Sequence, residues 1–203
     1  MTHTPIAKMT VDAFVTALAA KQPVPGGGAA AACILAQASA LGSMVIAYTL
    51  GKPKFAEHQL RLEKLDLIFS SARIDALQLA DRDASAYLKL NSLWKIPPAE
   101  RTALPEWHAT VNEAIAAPSA IADLSMAVLA ALASMSKITS AQLASDLRIA
   151  QLFAHTAMES ALLNVQVNLP QLCDTAARTA CEAFLTSRRS EGARLVEAPR
   201  TNP

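Results

Sequence analysis

Cysteine is scarce and unpatterned in this chain: Cys33, Cys173 and Cys181 are the three among 203 residues. No CxxC spacing occurs, Cys33 sits in an alanine run, and the set reads as small reduced core residues, with neither a disulfide frame nor a zinc site. The four histidines, His3, His58, His108 and His155, form no HExxH or paired pattern, so no metal is expected. A basic excess is missing too. Lys and Arg number 18 against 17 Asp and Glu, and the cations are scattered. Such a chain has no surface that would track a phosphate backbone, and nucleic acid is not an expected partner. The first residues, Met1 to Phe14, have no apolar h-region and carry Lys8 and Asp12, so a cytoplasmic location is expected. Sustained period-two alternation is absent as well, which argues against a sheet.

Charge is missing altogether from Gln22 to Gly51. Within that stretch Pro23-Val24-Pro25 and the triplet Gly26, Gly27, Gly28 run directly into Ala29–Ala32. Proline disfavours helix in the residue before it, and glycine lets another group approach the backbone closely. The loop is therefore either a tight turn into a buried helix or the rim of a site, where bare helix N–H groups would favour an anion. Residues 29–50 have the length of a membrane span, but small Ala, Gly and Ser side chains and Gln37 fit better the close-packed central helix of a bundle. No membrane is expected.

Helical signals cover the chain. Thr10 caps a first helix over about 11–20 with Phe14 and Leu18 on its apolar face; a second runs over 28–50 and ends at Gly51. A third spans 54–90 and stops before Pro97-Pro98. A fourth spans 105–135, where Pro118 should kink or interrupt it. Thr139 or Ser140 opens a fifth that reaches Asn168, and a sixth follows Pro170 over 171–189. The expected architecture is all-α: a bundle of about six helices around a long alanine-rich central one, no sheet, a single domain over 1–189 and a flexible tail over 190–203.

Four polar positions interrupt the apolar stripes. In the third helix Leu65, Ile68, Ala72, Ala76, Leu79, Ala86, Tyr87 and Leu90 recur at steps of three and four, and Asp83 falls among them while Asp75 and Asp81 do not. A buried carboxylate is costly unless partnered, and burial lifts its pKa towards the range useful for proton transfer; a structural Asp paired with a neighbouring Arg or a helix end fits the same pattern. In the fifth helix Asp146, Ala150, Phe153, Ala157, Ala161, Asn164 and Asn168 share one arc. Asn164 and Asn168, one turn apart, could hydrogen-bond a single heterocyclic ligand or cap the helix end, and Asp146 could bond a ligand or a neighbouring helix.

These segments resemble the cyclodeaminase/cyclohydrolase family, which includes the C-terminal domain of formiminotransferase-cyclodeaminase and bacterial methenyltetrahydrofolate cyclohydrolases. The resemblance covers roughly residues 10–185. It rests on Pro25-Gly26-Gly27-Gly28 with its alanine run, Gly51-Lys52-Pro53-Lys54-Phe55, Asp83-Ala84-Ser85-Ala86-Tyr87, Ala117-Pro118, Ser145-Asp146-Leu147-Arg148-Ile149-Ala150 and Asn164-Val165-Gln166-Val167-Asn168-Leu169. It implies an all-helical homodimer that handles the one-carbon unit bridging N5 and N10 of tetrahydrofolate, without metal or bound cofactor. Asp83 matches the acid/base. Gly26, Gly27 and Gly28 would let backbone approach the folate, Lys52 and Lys54 would meet its glutamate carboxylates, and Asp146, Asn164 and Asn168 would contact the pterin.

Several positions depart from the family pattern: Ala29 for Ser, Pro53 within the lysine run, Arg82 for an acidic residue, Pro98 for Lys, and Thr139-Ser140 for Gly-Asn. Arg82 could lower the Asp83 pKa through space. The expected activity is hydrolysis of 5,10-methenyltetrahydrofolate to the 10-formyl compound, preferred over formiminotetrahydrofolate cyclodeaminase because the chain has no room for a transferase domain. The departures keep an inactive folate-binding helical dimer as the alternative of another class.

Overall fold

Small side chains set the architecture. The computed structural model describes residues 4–197, and among them every regular element is helical. Helix α1 spans Val11–Ala19, α2 Gly27–Ala47, α3 Gln59–Leu93, α4 Pro98–Arg101, α5 Trp107–Ala133, α6 Ala144–Asn168 and α7 Thr175–Glu197, with short 3-10 turns between several of them. Four long helices make the bundle: α2 and α5 each pack against both α3 and α6, and α7 lies over α5 and α6. The core is a contiguous cluster rich in alanine with Leu35, Ile46, Phe69, Leu129 and Met158 fully buried. Alanine and glycine allow α2 to sit close to its neighbours. A Cβ at Gly42 would stand 3.0 Å from side-chain carbons of both Phe69 and Leu132. Helices α2 and α5 are long and apolar enough to cross a membrane, yet more than half of each apolar window is buried inside the bundle, as core helices are.

Local signals place most helix ends. The Thr10 hydroxyl accepts from the Ala13 N–H at 3.1 Å and starts α1. That helix buries none of its residues, and Leu18 is exposed while Phe14 packs on the core. Gly51 takes the left-handed conformation with φ 77°, which glycine adopts without strain, and ends the turn that follows α2. On α3, Ile68 and Tyr87 are exposed although the stripe groups them with the buried Leu65, Ala72, Ala76 and Leu90.

Three expectations change. Pro118 does not interrupt α5, which is continuous across it. Proline has no N–H to give the carbonyl of Ala114, and the Asn168 side chain supplies the missing donor instead, at 3.0 Å. The sixth expected helix does not end at 189 in a flexible tail: α7 continues to Glu197. Gly192 faces Met158 so closely that a Cβ there would overlap its Cε and Sδ, and Arg148 Nη1 donates to the Val196 carbonyl at 2.7 Å, so residues 190–197 are docked on α6. Residues 198–203 lie outside the described region. Finally, Cys173 is exposed on the loop before α7, not a core residue, whereas Cys33 and Cys181 are half-buried.

Candidate active site

The site begins with an uncapped helix. At the N-terminus of α2 the flanking residue is Gly26, whose lack of a side chain leaves no cap of its own. Asp83, projecting from α3, takes that place: its carboxylate accepts the Ala29 backbone N–H, and the positive end of α2 favours its charge. Gly28 is what lets the two helices meet so. A Cβ at position 28 would coincide with the Asp83 carboxylate, so glycine here serves close approach. Asp83 is half-buried. Burial pushes its carboxyl up from the ordinary 3.8 to about 6, and the Ala29 N–H only partly opposes this.

A cavity of about 210 Å³ opens beside the carboxylate, lined among others by Gly27, Gly28, Asp83, Tyr87, Asn164 and Asn168. The asparagines come from the C-terminal turns of α6. Asn164 Nδ2 donates to the Ser160 carbonyl at 2.8 Å, while Asn168 Nδ2 donates to the carbonyls of Ala114 and Asn164, both at 3.0 Å. Because those partners are carbonyl oxygens, both N–H groups of Asn168 are spent and its Oδ1 acceptor is what it offers a ligand, whereas Asn164 keeps one N–H donor beside its Oδ1. An Asn164 amide atom would lie 3.6 Å from a Cβ at Gly27, so the loop and the asparagines form facing walls. No group of three or more His, Cys, Asp or Glu side chains among the described residues could hold a metal ion.

Of the residues singled out in the sequence, Gly26, Gly27, Gly28, Asp83, Asn164 and Asn168 converge on this cavity. Lys52, Lys54 and Asp146 do not. Both lysines are exposed beyond the far end of α2, a helix of 21 residues and hence about 30 Å long. Asp146 lies in the first turn of α6, about 27 Å along the helix from Asn164. Nor does Arg82 depress Asp83. Its guanidinium is turned to Glu113 on α5, Nε to Oε1 at 2.7 Å and Nη2 to Oε2 at 3.0 Å. Ala114, whose freed carbonyl orients Asn168, went unnoticed in the sequence; Pro118 four residues later is the signal that marks it.

A family model described as formiminotransferase-cyclodeaminase matches residues 10–186. The chain is 31% identical over 172 residues to the formimidoyltransferase-cyclodeaminase of Rattus norvegicus, covering 81% of this chain and 31% of that protein. It therefore spans about a third of the length of that relative. It is also 28% identical to the methenyltetrahydrofolate cyclohydrolase of Methylorubrum extorquens, with 82% of each chain covered. A crystal structure described as the formiminotetrahydrofolate cyclodeaminase of Thermotoga maritima shares the fold, with a TM-score of 0.87 over 95% of this chain and 94% of that one at 22% identity.

Proposed function

The chain belongs to the formiminotransferase-cyclodeaminase family, and from that premise we propose that it acts on a one-carbon derivative of tetrahydrofolate, as a methenyltetrahydrofolate cyclohydrolase. The observation that carries this reading is a half-buried carboxylate, raised to about 6, held at a helix N-terminus in a cavity with two asparagines. The methenyl bridge is an electrophilic amidinium, so the protein has to position water and move protons. Ionised Asp83 takes a proton from the attacking water as its oxygen bonds to the bridge carbon, giving a carbinolamine. Collapse to the formyl group breaks the bond to N5. The electron pair stays on N5, which takes the proton back from Asp83, and the second water proton goes to solvent. The Asn164 and Asn168 acceptors suit the N–H edge of a pterin.

The cyclodeaminase reading is supported by the identity to the rat protein. There N10 attacks the formimino carbon, and Asp83 protonates the departing ammonia. Chain length does not separate the two, since the bacterial chains named for each reaction are similarly well covered. Purified protein given methenyltetrahydrofolate should remove its near-ultraviolet absorbance faster than buffer. Appearance of that absorbance from the formimino compound alone assigns the deaminase instead, and no change with either substrate overturns both. We also propose a homodimer. Leu60, Leu67 and Ile74, each one heptad apart on α3, and Ile149, Leu152, Leu163 and Val167 on α6 are exposed apolar stripes suited to a second copy.

A further inference from the structure

The cavity at Asp83 is too small for an entire folate. Its volume of about 210 Å³ falls below the roughly 300–1,000 Å³ of sites that bury ligands of that size. A second cavity, about 440 Å³ and bounded by Lys89, Leu93, Glu106, Thr110 and Glu113, lies between α3 and α5 and shares Ala86 with the first. Two features mark it as built for a ligand. Of the buried polar side chains, Ser39, Thr49, Ser125 and Thr139 each donate to the carbonyl four residues back. Thr110, only 9% exposed, makes no side-chain hydrogen bond among the described residues, which leaves its hydroxyl to the cavity it lines. The second is Lys89. Arg82 is committed to Glu113, whereas Lys89, exposed at the groove, forms no ion pair within 4 Å among the described residues, although its charge acts on Glu113.

We propose that this α3–α5 groove is the subsite for the p-aminobenzoyl-glutamate arm of the folate. The apolar Ala86 and Leu93 take the ring, the Thr110 hydroxyl bonds the benzoyl amide, and Lys89 pairs with a glutamate carboxylate. Lys89 follows Asp83 by six residues, about 9 Å along the helix axis and about a third of a turn round it, with Ala86 on the wall that the two cavities share. Lys52 and Lys54, at the other end of the bundle, cannot serve this arm within the same chain. Glu113 is paired with Arg82 and also draws on the charge of Lys89, and Glu106 at the exposed rim opposes an anionic ligand.

This inference rests on the folate reading, and titration calorimetry with two ligands separates their fates: tetrahydrofolate, and the same compound with its glutamate cut back to a bare carboxamide. Lys89→Ala should weaken tetrahydrofolate about three- to tenfold and leave the carboxamide within about twofold. Glu106→Gln should tighten tetrahydrofolate alone, and Thr110→Val should weaken both. Lys52→Ala with Lys54→Ala should change neither. Equal weakening of both ligands by Lys89→Ala, or a loss specific to tetrahydrofolate in the Lys52/Lys54 variant, overturns the subsite while the folate reading stands. Failure of the unaltered protein to bind either ligand overturns both.

Discussion

A methyl group at position 28 would occupy the space of the Asp83 carboxylate. Alanine is otherwise the better helix residue by about 1 kcal/mol, so Gly28→Ala should leave the helical circular-dichroism signal and melting temperature close to the parent. Activity should fall about 10²-fold or more, since the displaced carboxylate no longer reaches the substrate. Parallel kinetics and melts check both halves. Asp83 itself carries a second, oppositely signed expectation. Its folded pKa of about 6 exceeds the unfolded value near 3.9. Its contribution to stability is then complete below about pH 4 and is lost as pH rises through 6, up to about 3 kcal/mol. Asp83→Asn should therefore melt higher than the parent at pH 7.5, by about 5 °C, and the gain should shrink towards pH 4. Scanning calorimetry across that range measures it. A gain that is independent of pH would remove the burial argument.

Pro118 shows how one helix can be traded against the site. Its missing N–H frees the Ala114 carbonyl, which fixes Asn168 beside the cavity. Pro118→Ala restores the helix donor, and should raise the melting temperature while weakening ligand binding, because Asn168 then competes for its anchor. Thermal melts and titration on one sample decide this. The sequence made α2, α3, α5 and α6 readable because their apolar stripes are long and their stops are Gly51 and the prolines. It misled at α7. Gly192 and the charged residues around it read as a frayed end, yet that glycine admits Met158 and the Val196 carbonyl accepts from Arg148 Nη1 at 2.7 Å. A contact between helices distant in sequence leaves no periodic trace.

The same limit explains which site residues were legible. Helical periodicity gives angle but not height, so Asp146 shares an arc with Asn164 and Asn168 while lying turns away from them. Asp83 was legible because a carboxylate on a buried stripe is costly without a purpose. Thr110 and Lys89 were not, since a groove between α3 and α5 exists only after the helices assemble. At the scale of the whole molecule, the exposed stripes on α3 and α6 predict a dimer in sedimentation at micromolar concentration. Replacing Leu67 and Ile74 with Lys should shift it to monomer, and a parent that is already monomeric contradicts the proposed pairing.

The most direct test is the pH dependence of kcat/KM for methenyltetrahydrofolate in the parent and in Asp83→Asn. If Asp83 is the base, the parent rate rises with pH through a midpoint near 6 and then levels, and the variant loses about 10²- to 10⁴-fold together with that rising limb. A variant that keeps the parent rate and the parent profile would contradict the account.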